Sequence, residues 1–263
     1  MTTIYTTHLP FLIPKDKLYR LRVVQKVSEG RSEVTAKFYT AGNKDTLYSI
    51  RAVLGVTLDD SLFVGKNTLV VEGPSDQLLI SAMIQEFAKR QARKFKDTNN
   101  IFVLGVEGAD VAKYYAVLLE INQLPYAVIF DNDQKGINAR NDLVKTNIPE
   151  SRIILLSKSS NAAQQYYDVE NLFPVEVYAK SFHRIYGNSI GLTEDDLTNK
   201  FKDGNEKISN KAKNLLKTHN QDLDKVAVAR ETIKNVSTER ELNPVVKSNF
   251  ELLFDTLAKV IEI

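Results

Sequence analysis

The stretch Thr68-Leu69-Val70-Val71-Glu72-Gly73-Pro74-Ser75-Asp76 decides the fold, because it places two carboxylates where an apolar run hands over to a helix. Residues 68–71 are apolar or β-branched, as strands are, and Gly73-Pro74 is a strong turn signal, so the strand ends at Glu72. Beyond the turn, Leu78, Leu79, Ala82, Met83, Phe87 and Ala88 recur at helical spacing, with Ser75 or Asp76 as candidate caps. Asp76 then lies in the first helical turn, on the same rim as Glu72.

From there the chain alternates. Ile101-Phe102-Val103-Leu104-Gly105-Val106 reads as a strand, and Gly108 precedes a helical stretch carrying Val111, Tyr114, Tyr115, Leu118, Leu119 and Ile121. Tyr126-Ala127-Val128-Ile129-Phe130 is a nearly continuous apolar run, followed by Asp131-Asn132-Asp133 and a helix to about residue 145. Ile153-Ile154-Leu155-Leu156 is a fourth run. Four runs alternating with three helical segments predict an α/β fold with a parallel sheet covered on both faces, since parallel strands need crossovers. Function in such a sheet belongs at its carboxyl edge.

That rule groups the acidic pairs. Glu72 and Asp76 follow the first strand, Asp131 and Asp133 the third, and Asp168 and Glu170 come after the fourth in Tyr167-Asp168-Val169-Glu170-Asn171-Leu172-Phe173. Taken singly, each pair also fits a solvated turn or a capping cluster. Together, six carboxylates on one rim repel one another unless cations compensate, so a bound metal is the natural completion.

Composition narrows the metal. The 263 residues are 43% hydrophobic and 26% charged, enough for one large domain with an insertion or two. No run approaches the roughly 18 apolar residues of a membrane span, and no signal sequence follows Met1, so a cytoplasmic location without a membrane partner is the default. The absence of cysteine excludes disulfides, thiolate catalysis and zinc–thiolate sites, and three scattered histidines count against a His-based site. Oxygen ligands remain, which favours Mg²⁺ or Mn²⁺. A net charge of +2 leaves the partners open.

The flanks are less regular. Residues 3–8 read as a strand, and two further strand-like runs (Leu18, Leu21, Val23 and Val24, then Val34, Ala36 and Phe38) flank a turn at Ser28-Glu29-Gly30-Arg31. Residues 45–54 look helical. Residues 176–222 break the alternation and read as a mostly helical insertion. Its Lys207, Lys211, Lys213 and Lys217 fit a solvated face better than a phosphate-tracking one, and so do Lys89, Arg90, Arg93, Lys94 and Lys96. An apolar helix resumes at Lys225, and a last one spans about residues 244–261.

Competing motifs fit the ligand chemistry less well. Read as an EF-hand loop, Asp131-Asn132-Asp133-Gln134-Lys135-Gly136 puts a cation, Lys135, in the ligand ring and only an aspartate, Asp142, at its end. Phosphotransfer through an Asp131 nucleophile would set the Asp-x-Asp pair after the first strand rather than the third. No phosphate-binding Gly-rich loop is present, so the chain alone is no NTPase.

These residues carry a family resemblance. Val70-Val71-Glu72-Gly73-Pro74-Ser75-Asp76 with Asp131 and Asp133 some sixty residues on resembles a Toprim domain, the metal-binding fold shared by topoisomerases, primases and some nucleases. Asp168-Val169-Glu170-Asn171-Leu172-Phe173-Pro174 is similar to the Asp-x-Glu segment of OLD (overcoming lysogenization defect) nucleases, whose linker resembles residues 54–66. Thr6-Thr7-His8-Leu9-Pro10-Phe11-Leu12-Ile13 resembles the end of an ABC-type ATPase domain, with His8 as its switch histidine. Asp224-Lys225-Val226-Ala227-Val228-Ala229 resembles the segment in which these nucleases place an essential lysine. The order of motifs is more specific than any one of them. One departure is Asp76, where many relatives carry Glu.

The resemblance implies a Rossmann-like Toprim region (67–173) with a helical insertion (174–223) and carboxy-terminal helices (224–263), preceded by an ATPase remnant and linker (1–66). It implies the carboxy-terminal part of a longer ATPase-nuclease, with ATP used only in the full-length protein. The implied activity is DNA endonuclease cleavage by two-metal hydrolysis in phage defence or repair. Glu72, Asp131 and Asp133 would hold one Mg²⁺ or Mn²⁺, Asp76, Asp168 and Glu170 the other, and Lys225 would act in catalysis beside Glu72. DNA, a homodimer or higher oligomer formed through the ATPase domain, and a helicase are the implied partners. The alternative is a non-catalytic Toprim module for dimerisation or DNA docking.

Overall fold

The run read first as a strand is packed on both sides: Leu69 and Val71 enter one core, Val70 the other, and all three are buried. The computed structural model describes residue 4 and residues 22–35, 67–90, 98–156, 167–202 and 206–261. The expectations for residues 3, 5–8, 18–21, 36–38 and 45–66, for His8, and for Arg93, Lys94 and Lys96 lie outside these. Ahead of the sheet stands a hairpin of β1 (Val23–Ser28) and β2 (Arg31–Thr35), antiparallel, turning at Gly30 with φ of 75°.

The main unit runs β3 (Asn67–Val71), α1 (Pro74–Lys89), β4 (Ile101–Gly105), α2 (Ala109–Ile121), β5 (Tyr126–Phe130), α3 (Gln134–Lys145) and β6 (Ile153–Leu155). Its four strands are all parallel, in the order β4-β3-β5-β6. The chain leaves β3 toward one edge and returns to pair β5 on the other side of β3. The connections therefore diverge between β3 and β5, the crevice where sheets of this type bind ligands. Helices α2 and α3 cover one face, with Val70, Tyr126, Val128 and Phe130 beneath them. On the other face α1 packs with α7 (Lys225–Thr238) and α8 (Pro244–Ala258), around Leu69, Ile129, Phe87 and Phe254.

The break in alternation is helical, as its composition suggested. Helix α4 (Val175–Phe182) continues through a π-helical turn, His183–Gly187, and is followed by α5 (Glu194–Phe201) and α6 (Ile208–Lys217). With Val228 of α7 these form a third core around Tyr178, Phe182, Phe201 and Leu216, with the Phe182 and Phe201 rings edge to face at 5.4 Å. Helix α7 is tied to α1 by Arg90, whose guanidinium pairs with Glu86 at 2.9 Å and donates to the Val236 carbonyl at 3.1 Å. Ser237 Oγ donates to Glu86 at 3.0 Å. Arg90 is therefore a clamp and not part of a solvated cationic face. The start of α7 at Lys225 is set by its cap, Asp224, whose Oδ1 accepts from Ala227 N at 2.9 Å.

The cap of α1 differs from expectation. Gly73 is the cap residue and Pro74 the first helical residue, leaving Ser75 and Asp76 inside the first turn and buried. Proline suits that position because its missing N–H is one that no helix pairs and its φ is already helical.

Gly136, in the first turn of α3, holds the loop after β5 closed. A Cβ there would stand 1.9 Å from the Asp131 carbonyl oxygen, which is main chain and has nowhere to yield. Gly136→Ala should therefore cost about 2 kcal/mol or more, as overpacking does, by pushing Asp131 off the rim. Urea denaturation checks this, and a wild-type midpoint would show that the loop relaxes freely.

Candidate metal centre

Three chain segments converge on the carboxyl edge. Glu72 leaves the end of β3, and its Oε1 accepts the Asp131 N–H at 2.9 Å, so the two central strands are stitched together just beyond the sheet. The Glu72 carbonyl accepts from Gly108 at 2.8 Å, where φ of 96° suits glycine. After β5, Asp133 caps α3, its Oδ1 accepting from Gly136 N at 2.8 Å. The third segment is drawn in by an isolated antiparallel bridge between Asn132 and Tyr167, with N–H···O distances of 2.8 and 3.1 Å. That bridge sets Asp168 and Glu170 beside the Asp131 loop.

The acids differ in what they face. Asp168 is fully buried and caps the 3₁₀ turn Val169–Leu172, Oδ1 accepting from Asn171 N at 3.0 Å and Oδ2 from Ser209 N at 3.2 Å. Asp76 is 4% exposed and takes a hydrogen bond from Ser75 Oγ at 3.3 Å. Glu170 is 3% exposed, and neither of its oxygens accepts a hydrogen bond. Lys225, a third exposed, stands 3.1 Å from Glu170 Oε1, outside hydrogen-bonding alignment, so the attraction is Coulombic.

Lys207 is the residue that sequence reasoning placed on a solvated face. Its Nζ lies 2.8 Å from Asp131 Oδ2 and 2.6 Å from Asp133 Oδ2, in a setting only 13% exposed. Lys213 and Lys217 are exposed, as expected, while the Lys211 ammonium donates to the Phe201 carbonyl at 2.9 Å. Nothing in the spacing of these lysines singles out Lys207. Its neighbours Ile208 and Ser209 do so in three dimensions, donating their N–H groups to Asn171 and Asp168.

Proton affinities record the crowding. Burial, then the Glu170 charge, pushes Asp76 up to about 7. The same two causes push Asp168 up to about 6. Burial raises Asp131 well above the carboxylate range, aided by Asp76 and Asp168, and it raises Glu72, where the Asp131 N–H opposes it. For Asp133 burial works upward too, but the Lys207 and Gly136 hydrogen bonds reverse it and the net shift is down. Both lysines are raised despite burial, Lys207 chiefly by Asp131 and Lys225 chiefly by Glu170.

An open cleft of about 350 Å³ reaches this rim. Glu72, Asp76, Asp131 and Lys225 line it, along with Gly108 and the approach to α7, while Asp133, Asp168 and Glu170 lie behind. Among the described residues no three His, Asp or Glu are grouped at ligand spacing as they stand, and two ammonium groups sit among these acids. The donor set nevertheless fits a hard divalent ion: all oxygen, mostly buried, with one carboxylate left without a hydrogen bond.

Residues 63–133 match the family described as Overcoming lysogenization defect protein-like, TOPRIM domain. This stretch is an OLD-like Toprim region. No curated protein matches the chain. The matched span contains β3, α1, β4, α2 and β5 and ends on Asp133, so it includes Glu72, Asp76, Asp131 and Asp133. Toprim domains bind divalent metals such as Mg²⁺ and act on nucleic acids as a class. Among the described residues no helix is long and apolar enough to cross a membrane.

The raised acids give a signed pH dependence. A carboxyl that binds its proton more tightly when folded stabilises the fold below its unfolded pKa, and that contribution is lost as pH rises through the folded value. For Asp76 the window runs from about 4 to about 7. In EDTA, Asp76→Asn should match wild type near pH 4 and exceed it at pH 8 by up to about 4 kcal/mol, one pKa unit being worth about 1.4 kcal/mol. Denaturant titrations at the two pH values test this, and equal stability at pH 8 would mean that Asp76 ionises without strain.

Proposed function

We propose that this chain is a divalent-metal-dependent endodeoxyribonuclease of Toprim type. The observation that carries the reading is Glu170: a buried carboxylate without a hydrogen bond, on a rim shared with five more acids, is a group prepared for a hard cation. Glu72, Asp131 and Asp133 would hold one Mg²⁺ or Mn²⁺ and Asp76, Asp168 and Glu170 the second. Asp168 keeps spare lone pairs for this even with both oxygens accepting main-chain N–H groups. Bound there, such ions lower the pKa of an attacking water and neutralise a leaving 3′ oxygen.

The protein's own part is placement and charge. Helix α7 presents Lys225 to the cleft, where its ammonium would stabilise negative charge building on the scissile phosphate. Glu72, tied to the Asp131 main chain, fixes the spacing of the two central strand ends. The cleft is open and, among the described residues, lined by acids, Lys225 and small or apolar groups, which suits backbone contact with little sequence readout.

The division into 1–66, 67–173, 174–223 and 224–263 belongs to the same proposal, and the clustering of Tyr178, Phe182, Phe201 and Leu216 outside the sheet's two cores supports its third unit. The resemblance of residues 6–13 and 54–66 supports the wider reading, a cytoplasmic ATPase-nuclease of phage defence or DNA repair. Its ATPase domain would use ATP and assemble the oligomer, with a helicase as candidate partner.

Supercoiled plasmid incubated with the protein and Mg²⁺ or Mn²⁺ should yield nicked and linear forms, and Glu72→Ala should abolish them while remaining folded. Full activity of that variant would sink the assignment, and no cleavage by wild type with either ion would favour a docking module. Lys225→Ala should lower the rate by about 10²–10³, the usual loss for one transition-state donor, while still binding Mn²⁺. A rate within a few-fold of wild type would reduce Lys225 to a counter-ion for Glu170.

A further inference from the structure

Three consecutive residues of the insertion grip the acidic rim. Lys207 Nζ bridges Asp131 Oδ2 and Asp133 Oδ2 at 2.8 and 2.6 Å, Ile208 N donates to Asn171 Oδ1 at 3.3 Å, and Ser209 N donates to Asp168 Oδ2 at 3.2 Å. The Asp131 and Asp133 carboxylates come from one loop and would otherwise repel across the gap that the ammonium fills. An ammonium is a monovalent cation with three directed protons, and here it sits where the oxygen pair would receive a divalent ion. An ion seated between Asp131 Oδ2 and Asp133 Oδ2 would exclude the ammonium, since two cations cannot share the space between the same two oxygens.

The surroundings allow the ammonium to leave. Lys207 stands just ahead of α6 and outside the sheet's two cores, on a segment whose helices pack around Tyr178, Phe182 and Leu216. A lysine side chain has four rotatable bonds, so its head can swing away while the Ile208 and Ser209 N–H groups stay on Asn171 and Asp168. Lys225, by contrast, faces Glu170 across the rim and competes for neither Asp131 nor Asp133 at contact distance.

We infer that Lys207 is a resident cation of the Asp131–Asp133 seat, one that neutralises the two carboxylates until a divalent ion displaces it. Ion binding is thereby coupled to release of one contact of the insertion. This rests on the metal-centre reading above, and the test separates the two. Calorimetric titration of Mn²⁺ without nucleic acid should show Lys207→Met binding at least about 10-fold more tightly than wild type, because the competitor is gone. The wild-type protein supplies the second measurement. Amine-reactive labelling read by mass spectrometry should show Lys207 slow to react in EDTA and several-fold faster in Mn²⁺, with Lys213 and Lys217 unchanged as exposed references. Equal or weaker binding by Lys207→Met, or Lys207 labelling indifferent to Mn²⁺, would overturn the displacement while leaving the metal centre intact. Failure of both proteins to bind Mn²⁺ would overturn the metal centre and the displacement with it.

Discussion

Like charge held out of water is the constraint on which the rest of this structure depends. Glu72, Asp76, Asp131, Asp133, Asp168 and Glu170 share one edge with two ammonium groups, Lys207 and Lys225, so full ionisation would leave four negative charges uncompensated, six less two. Burying an unpaired charge is expensive, and a buried carboxylate escapes by taking a proton. Asp76 and Asp168 are pushed up to about 7 and about 6 for this reason. The edge is therefore in tension near neutral pH, and protons, lysines and divalent ions are alternative ways to relieve it.

A fold can sustain that tension only if its charged groups cannot drift apart. Here they project from the ends of β3 and β5, neighbours buried on both faces and locked by the Glu72–Asp131 hydrogen bond. The third acidic segment lacks a strand of its own at the rim and is held by the Asn132–Tyr167 bridge, with Asn249 of α8 donating to the Leu172 carbonyl at 2.9 Å from behind. Lys225 owes its place to a longer chain of support. Its helix is clamped to α1 through Glu86, Arg90 and Ser237, at the far end from the cleft. Substitutions at that clamp would act on the site through the start of α7, with no contact to the acids.

The sheet was legible because its strands are short, mostly apolar or β-branched and punctuated by Gly and Pro, as strands buried on both faces tend to read. Glu72, Asp131 and Asp133 were legible for a related reason: a carboxylate just after an apolar strand stands out against it and marks the carboxyl edge, even though Asp131 stays buried there. Lys207 was not, because its position follows from how α6 docks, and a lysine among lysines carries no periodic signal. The helix start at Pro74 was obscured by two better-known capping residues just after it. Gly136 looks like an ordinary loop glycine until the 1.9 Å approach of the Asp131 carbonyl to its missing Cβ is seen.

The two lysines show how one chemistry can serve opposite ends. Lys225 opens a helix that is packed into the sheet's own core through Ala229 and Val236, and its partner Glu170 has no other polar contact to fall back on. Removing that ammonium leaves a buried charge exposed to its like-charged neighbours, so the site keeps it. Lys207 stands just ahead of a helix that packs outside the sheet's two cores, and both its partners have other attachments: Asp133 the Gly136 N–H, Asp131 the strand end that bonds Glu72. A cation whose partners stay positioned without it is replaceable, whereas one whose partner depends on it is part of the frame. That asymmetry follows from what else holds each lysine's partners, and in the proposed reading it makes Lys225 the fixed positive end of the rim and the Asp131–Asp133 pair the exchangeable one.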